Sequence, residues 1–260
     1  MSNLADLAGR PIVAEPFDML VPREPLLRIV HEDDRLLVLN KPAGLVCHPT
    51  KTDAWSSLIG RVRLHLGESA TAHMVNRLDR ETSGLVLVAK TDDFARALRK
   101  LWESREVVKG YQAIVHGWPV EDRAVIDAPL GKDESSRVTI KDCVRPDGAA
   151  SQTEFAVERR FERAEGKFAL LNVTPRTGRK HQIRIHLAHA GHPIVGDKLY
   201  DHDEDCYLAL VEDRLTDEQR AKLILPFHAL HAGAVRFELT GEVFRFSADP
   251  DERFKSFVCS

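Results

Sequence analysis

The 260-residue chain has only four cysteines, Cys47, Cys143, Cys206 and Cys259, and no two of them form a C-x-x-C pair. Scattered thiols of this kind fit a reducing compartment better than a disulfide framework or a zinc site. No apolar run approaches the ~18–20 residues that span a bilayer. No basic stretch followed by an apolar run opens the chain, so no secretory signal is read. Glycine-rich phosphate loops and dinucleotide fingerprints are absent as well. Nor is there an excess of positive charge: 37 Lys and Arg stand against 40 Asp and Glu, a formal net charge of −3. That balance excludes little, because a basic groove can sit on an acidic body. These absences lead to the expectation of a soluble, cytoplasmic monomer with no membrane association.

What is present suffices for a large core, since 43% of the residues are hydrophobic. Pro11, Pro16, Pro22 and Pro25 punctuate residues 1–25, which read as an extended arm. From Leu26, LLRIVHEDD and RLLVLNKPAG read as two strands, the second stopping at the Lys41-Pro42-Ala43-Gly44 turn. Leu58, Val62 and Leu66 share a face of a helix expected over Trp55 to Leu66. LVLVAK from Leu85 is a buried-type strand, and Thr91 or Asp92 caps a helix running to about Ser104. From Val107 to about Pro175 the pattern is mostly strand, including RVTIKDCV. A helix is then expected over Arg179 to His189, a peripheral acidic region over Asp201 to Lys222, and a strand at HALHAGAVRFEL. The expected class is α+β: a mixed, largely antiparallel sheet with flanking helices, in two lobes whose strand sets face each other across a central cleft. One domain over 26–245 follows the arm, and 246–260 is read as a C-terminal tail.

Three segments carry candidate chemistry. In Asn76 to Lys90 a polar Arg-Leu-Asp-Arg loop runs through Thr-Ser-Gly straight into a buried strand, a placement that suits reactive residues. Arg77 and Arg80 flank Asp79 and would keep its carboxylate ionised, fit to act as nucleophile or base. Taken singly, such an Arg-x-Asp is more often a structural pair. Thr174 to Ala190 holds Arg176, Arg179, Lys180 and Arg184 with no acidic residue, a concentration suited to phosphate contacts, or equally to a solvated helix face. Lys109 to Gly117 is β-rich and carries Tyr111, which could stack on a nucleobase and carry a proton, although a lone strand tyrosine is usually core. The run His202-Asp203-Glu204-Asp205-Cys206 has no metal-site spacing and reads as an exposed acidic loop. His181 and His186, at i and i+5, do not make a ligand pair, so no metal or cofactor is expected.

Together and in this order, the three segments resemble the RluA family of RNA pseudouridine synthases. Asn76 to Leu85 reads N-R-L-D-R-E-T-S-G-L, against the family's H-R-L-D-x-x-T-S-G-L. The T-G-R-x-H-Q-I-R-x-H-L motif is unbroken from Thr177 to Leu187, and G-H-P-I-V-G-D follows from Gly191 to Asp197. Lys109 to Tyr111 matches the family's K-x-Y, and Leu230 to Ala232 its terminal L-H-A. The resemblance covers about Leu26 to Leu239. The chain departs from it at Asn76, where the family usually has histidine, and at Phe227, where a basic residue is frequent.

The resemblance implies an isomerase acting on ribosomal or transfer RNA by a cofactor-free mechanism in which the uridine leaves its stack. It implies Asp79 as nucleophile, Arg184 as its ion-pair partner and Tyr111 as the stacking, proton-carrying residue. Arg77, Arg80, Arg176, Arg179, Lys180 and His181 would hold the RNA. It also implies a form without the small N-terminal RNA-binding module of some relatives. The alternative is a catalytically inactive RNA-binding relative acting in ribosome assembly. A metal-dependent hydrolase using the histidines and the acidic loop is a more distant reading.

Overall fold

The computed structural model describes residues 26–49, 56–67, 69–201 and 204–259, so the arm expected over residues 1–25 lies outside the described residues. Strands β1 (Ile29–Glu32) and β2 (Leu36–Lys41) pair first, followed by helix α1 (Leu58–Leu66), strands β3 (His73–Met74) and β4 (Ser83–Ala89), and helix α2 (Asp92–Glu103). Then come β5 (Val108–His116), β6 (Arg123–Asp127), the short pair β7 (Leu130–Lys132) and β8 (Asp142–Val144), and the long strands β9 (Gln152–Arg163) and β10 (Gly166–Pro175). Helices α3 (Gln182–His189), α4 (Asp205–Val211) and α5 (Asp217–Leu223) precede β11 (Leu230–Leu239), β12 (Glu242–Ser247) and helix α6 (Glu252–Cys259).

Ten strands form one sheet in the order β1-β2-β4-β11-β5-β10-β9-β6, with β3 on β4 and β12 on β11. Every pairing in it is antiparallel except β4 with β11. The fold is the expected α+β class. Its two strand sets meet edge to edge, however, because β11 returns from the far end of the chain and inserts between β4 and β5. The cleft therefore lies over the junction of the sets. Gly84 makes that junction possible: at φ +113° its missing Cβ would lie 2.3 Å from the Ala232 carbonyl oxygen.

The apolar runs of β2 and β4 are uninterrupted because both faces of these strands are covered. Leu36, Val38, Leu85 and Leu87 face Phe94 and Leu98 of α2 together with Phe237 and Phe244. Leu37, Leu39, Val86 and Val88 face Leu58 and Val62 of α1. Burial of each such side chain contributes about 1.5–3 kcal/mol. Ser57 caps α1 by accepting from Gly60 N, and Thr91 caps α2 by accepting from Phe94 N. Trp55, read as the start of α1, lies outside the described residues.

Three expectations are corrected. Residues 246–259 of the expected tail do not trail behind the domain: they complete β12 and form α6, whose Phe254, Phe257 and Val258 enter the core beside Phe161 and Phe168. Their i, i+3, i+4 spacing is that of one helix face. RVTIKDCV yields only β8, its first residues forming a loop. The helix read from Arg179 begins at Gln182, because His181 takes a left-handed conformation with φ 54°. The Gln182 side chain holds the preceding turn, its Oε1 accepting from Thr177 Oγ1 at 2.6 Å and from Arg179 N at 3.0 Å.

Candidate active site

Asp79 sits on the loop that feeds β4, and that loop is pinned along its length. The Asn76 side chain imitates a strand, donating to Leu85 O at 3.1 Å and accepting from Leu87 N at 2.8 Å. Both contacts are neutral, so this position works here without the charge a histidine could carry. Lys41 is fully buried beneath the loop, and its ammonium donates to the carbonyls of Pro42, Leu45 and Arg80 at 3.0, 2.8 and 3.1 Å. Three acceptors match its three N–H groups. Burial nevertheless lowers its pKa to about 8. At the loop's other end Thr82 Oγ1 hydrogen-bonds His228 Nε2 at 2.7 Å. Phe227 lies against Gly44 of the turn that Lys41 organises, so the ring supports the loop from behind.

The carboxylate's principal partner is Arg184 of α3. Its Nη1 donates to Asp79 Oδ2 at 2.9 Å, while Nε and Nη2 grip Asp197 Oδ2 and Oδ1 at 2.6 and 2.8 Å. Asp197 is fully buried and also accepts from the backbone N–H groups of Leu199 and Tyr200. The guanidinium lies 5.0 Å from the centre of the Tyr200 ring. Burial, the largest single influence, would raise the pKa of both carboxyl groups, but the Arg184 charge together with its hydrogen bonds and the neighbouring groups outweighs it, holding Asp79 below its ordinary value and Asp197 well below. Two histidines border the pair. His181 Nε2 lies 3.8 Å from Asp79 Oδ2, and His181 Nδ1 hydrogen-bonds Tyr200 Oη at 2.9 Å. Burial and then Arg184 push His181 down to about 4 and His228 to about 3. Both are therefore neutral at neutral pH, where the charge that keeps Asp79 ionised is that of Arg184. Asp79 Oδ1 accepts no hydrogen bond among the described residues, and the side chain keeps 32% of its surface exposed, so one oxygen stays open to an incoming group.

Tyr111 stands on β5 opposite Val173 of β10 and lines the same cavity as Asp79 and Arg184, a space of about 110 Å³. Burial first, and the Asp79 charge second, push its phenol up to about 12, so it is a proton donor at neutral pH. The cavity shares Asp79, Tyr111 and His181 with a larger groove of about 670 Å³. Arg77, Arg80, Lys109, Arg179 and Lys180 line that groove, and Asp79 is the sole acidic residue among its lining residues. A cationic groove thus lies on a body of net negative charge, the condition for holding a polyanion locally.

Of the residues singled out from the sequence, Asp79, Tyr111, Arg184, Arg77, Arg80, Arg179, Lys180 and His181 converge on these two spaces. Lys180 also pairs with Asp142 at 2.9 Å. Arg176 lines neither space; it makes a bidentate pair with Glu154, at 2.8 and 2.7 Å. Sequence reasoning missed Lys41, Asp197 and His228. Asp197 had a signal, since it closes the quoted Gly-His-Pro-Ile-Val-Gly-Asp run. Glu204 to Cys206, read as an exposed loop, instead cap and open α4, with Cys206 buried, and no group of three metal-ligating side chains occurs among the described residues.

The largely antiparallel sheet thus presents one ionised carboxylate, its buried arginine and a protonated tyrosine beneath a cationic groove, an arrangement suited to acid–base or nucleophilic chemistry on a polyanion. The family model described as RNA pseudouridylate synthase matches residues 35–189, and the chain belongs to that family, among its RluA-type members. It is an RNA pseudouridine synthase, an isomerase. It is 37% identical over 233 residues to the ribosomal large subunit pseudouridine synthase C of Pasteurella multocida, covering 89% of this chain and 67% of that protein. The dual-specificity RNA pseudouridine synthase RluA of the same organism is 36% identical over 232 residues, covering 88% of this chain and 95% of that one. Among solved structures, human RNA pseudouridylate synthase domain containing 1 superposes with a TM-score of 0.69 at 25% identity, covering 88% of this chain and 85% of its own. No helix among the described residues is long and apolar enough to cross a membrane.

Proposed function

We propose that the enzyme isomerises uridines of ribosomal or transfer RNA with Asp79 as nucleophile, Arg184 as the group that aims it, and Tyr111 as the residue that stacks on uracil and carries a proton. The observation that carries the assignment is the three-centre contact of Arg184: gripped from behind by buried Asp197, it presents an ionised Asp79 with one free oxygen to the cavity that Tyr111 lines. The reaction breaks the bond between ribose C1′ and uracil N1 and forms one between C1′ and C5. A proton leaves C5 and one is gained at N1, so the net change is an isomerisation. Because the reacting atoms are buried in stacked RNA, the uridine enters the cavity extruded from its strand. Arg77, Arg80, Arg179 and Lys180 hold the phosphates on either side, and neutral His181 orients the site through Tyr200.

Ribosomal RNA is the first substrate to test, since a relative similar over 89% of the chain bears the name of a large-subunit synthase. The dual-specificity relative keeps transfer RNA in the comparison. An ionised Asp79 and a protonated Tyr111 in one cavity support a working catalyst over an inactive RNA-binding relative. The same reading has a monomer acting in the cytoplasm. The test is tritium release from C5-labelled uridine in separate unmodified ribosomal and transfer RNA transcripts. Release from either establishes turnover and names the substrate class, whereas release from neither contradicts the proposal.

A further inference from the structure

On the side of Asp79 that Tyr111 does not line, a second cavity of about 280 Å³ opens, sharing Asp79, His181 and Arg184 with the first. Its far wall is helix α4, from the acidic stretch that the sequence marked as peripheral. The wall is apolar: Tyr207 and Leu210 are half-buried, and Val211 and Ile140 are exposed, with relative exposures of 65% and 42%. The near rim carries Arg80, which has no acidic partner among the described residues and uses only its Nε, on Gly44 O. Glu81 and Lys198, also lining, neutralise each other at 2.8 Å, and Lys198 donates further to Pro226 O at 2.7 Å, which among the described residues leaves Arg80 as the cation free for a phosphate at this rim.

The wall is built rather than draped. Glu204, just before α4, accepts from Ser136 Oγ at 2.5 Å, from Arg137 N at 3.0 Å and from Lys141 Nζ at 3.4 Å. These bonds fasten α4 to the β7–β8 loop, which supplies Ile140. An aromatic ring and aliphatic side chains opposite an unpaired guanidinium, continuous with a site for an extruded nucleotide, match the two faces of a nucleotide: a flat base and a phosphate.

We infer that this cavity is a subsite for a nucleotide flanking the target uridine, its base stacked on Tyr207 against Val211 and Ile140, its phosphate held by Arg80. The inference rests on the proposed role of Asp79 as the reacting carboxylate, since that places the target in the neighbouring cavity. Recognition of a second unstacked base makes the substrate a single-stranded loop or bulge, and makes α4 a determinant of which uridine is chosen.

The test uses full-length protein and the unmodified ribosomal and transfer RNA transcripts, with tritium release and equilibrium binding measured in parallel. Tyr207→Ala should raise both KM and Kd about tenfold, the order expected for losing one stacked base. Its turnover at saturating RNA should stay within about threefold of wild type, as expected for a residue that binds the RNA uniformly through the reaction. Tyr207→Phe should restore both constants, because the ring and not the hydroxyl stacks. Val211→Glu, at a site exposed enough to leave folding intact, should weaken binding in the same way, because it sets a charge in the apolar wall against which the base lies. Once the target is mapped, an abasic residue beside it should weaken wild type about tenfold and leave Tyr207→Ala unaffected. Unchanged KM and Kd in Tyr207→Ala and Val211→Glu overturn the subsite. Wild type that binds but releases no tritium contradicts the function instead, and the Kd comparison still decides the subsite.

Discussion

Arg184 donates two hydrogen bonds to Asp197, at 2.6 and 2.8 Å, and one to Asp79, at 2.9 Å. The arginine is buried and Asp197 wholly so, whereas Asp79 keeps an exposed edge. The buried partner therefore fixes the guanidinium, and the guanidinium fixes the Asp79 carboxylate. Removing one member of a buried ion pair leaves an uncompensated charge, at a cost of about 3–5 kcal/mol. Asp197→Ala should lower the thermal midpoint by on the order of 10 °C, and the milder Asp197→Asn should reduce turnover at least tenfold with RNA affinity retained, because Arg184 loses its aim. Calorimetry and single-turnover tritium release check the two effects. Wild-type turnover in Asp197→Asn contradicts the positioning role.

Tyr111 lines the cavity of Asp79, and its phenol is pushed up to about 12. Tyr111→Phe keeps the ring and removes the proton. The variant should bind RNA within about twofold of wild type yet lose about 100-fold or more in turnover, the usual scale of a general acid–base contribution. Turnover equal to wild type leaves the tyrosine only its stacking role.

The buried histidines set the acid stability. His181 and His228 titrate near ~6.5 in an unfolded chain, and burial followed by Arg184 lowers them to about 4 and about 3 in the fold. Between those values the unfolded chain binds more protons. The stability they contribute is therefore fully present above pH ~6.5 and is lost as pH falls toward ~4, and below that the depressed Asp79 and Asp197 carry the loss further. Thermal melts should show a nearly level midpoint around pH ~7, a steady fall below ~6.5, and a rise from about pH 8 upward as the depressed Lys41 releases its proton in the fold. A midpoint unchanged at pH ~4.5 contradicts the buried, neutral histidines.

Much of this architecture was legible in the chain. RLLVLNK read as the strand that β2 is, LVLVAK as the buried-type strand β4, and Thr91 or Asp92 as the cap of α2, which Thr91 makes. The insertion of β11 between β4 and β5 was not, because pairing across more than a hundred residues leaves no local period. Arg184 meets Asp79 across 105 residues, and only the family-like order of the motifs pointed to that pair. The early residues of the expected α3 looked helical by charge and spacing, yet Gln182 captures Thr177 and Arg179 and holds the basic residues in a turn. Asp197 escaped because its partner lies one turn and a loop away, and α6 because Phe254, Phe257 and Val258 are spread thinly among charges.

Arg176 and Arg179 lie three residues apart, but only Arg179 lines the groove; Arg176 is taken by Glu154. Arg179→Ala should weaken RNA binding and reduce the slope of log K against log salt by about 1. Arg176→Ala should leave affinity and slope unchanged. Equal losses in both variants contradict the placement of the groove.

Asp79→Asn is the most direct test of the catalytic assignment, because it keeps the side chain's shape while removing its charge. The account predicts RNA binding within about threefold of wild type, and no tritium released from C5-labelled uridine in ribosomal or transfer RNA even in single-turnover excess of enzyme, a loss far beyond the ~10²–10⁴-fold of an auxiliary acid or base. Measurable release by Asp79→Asn at a rate near wild type would contradict it and move the nucleophile elsewhere in the cavity.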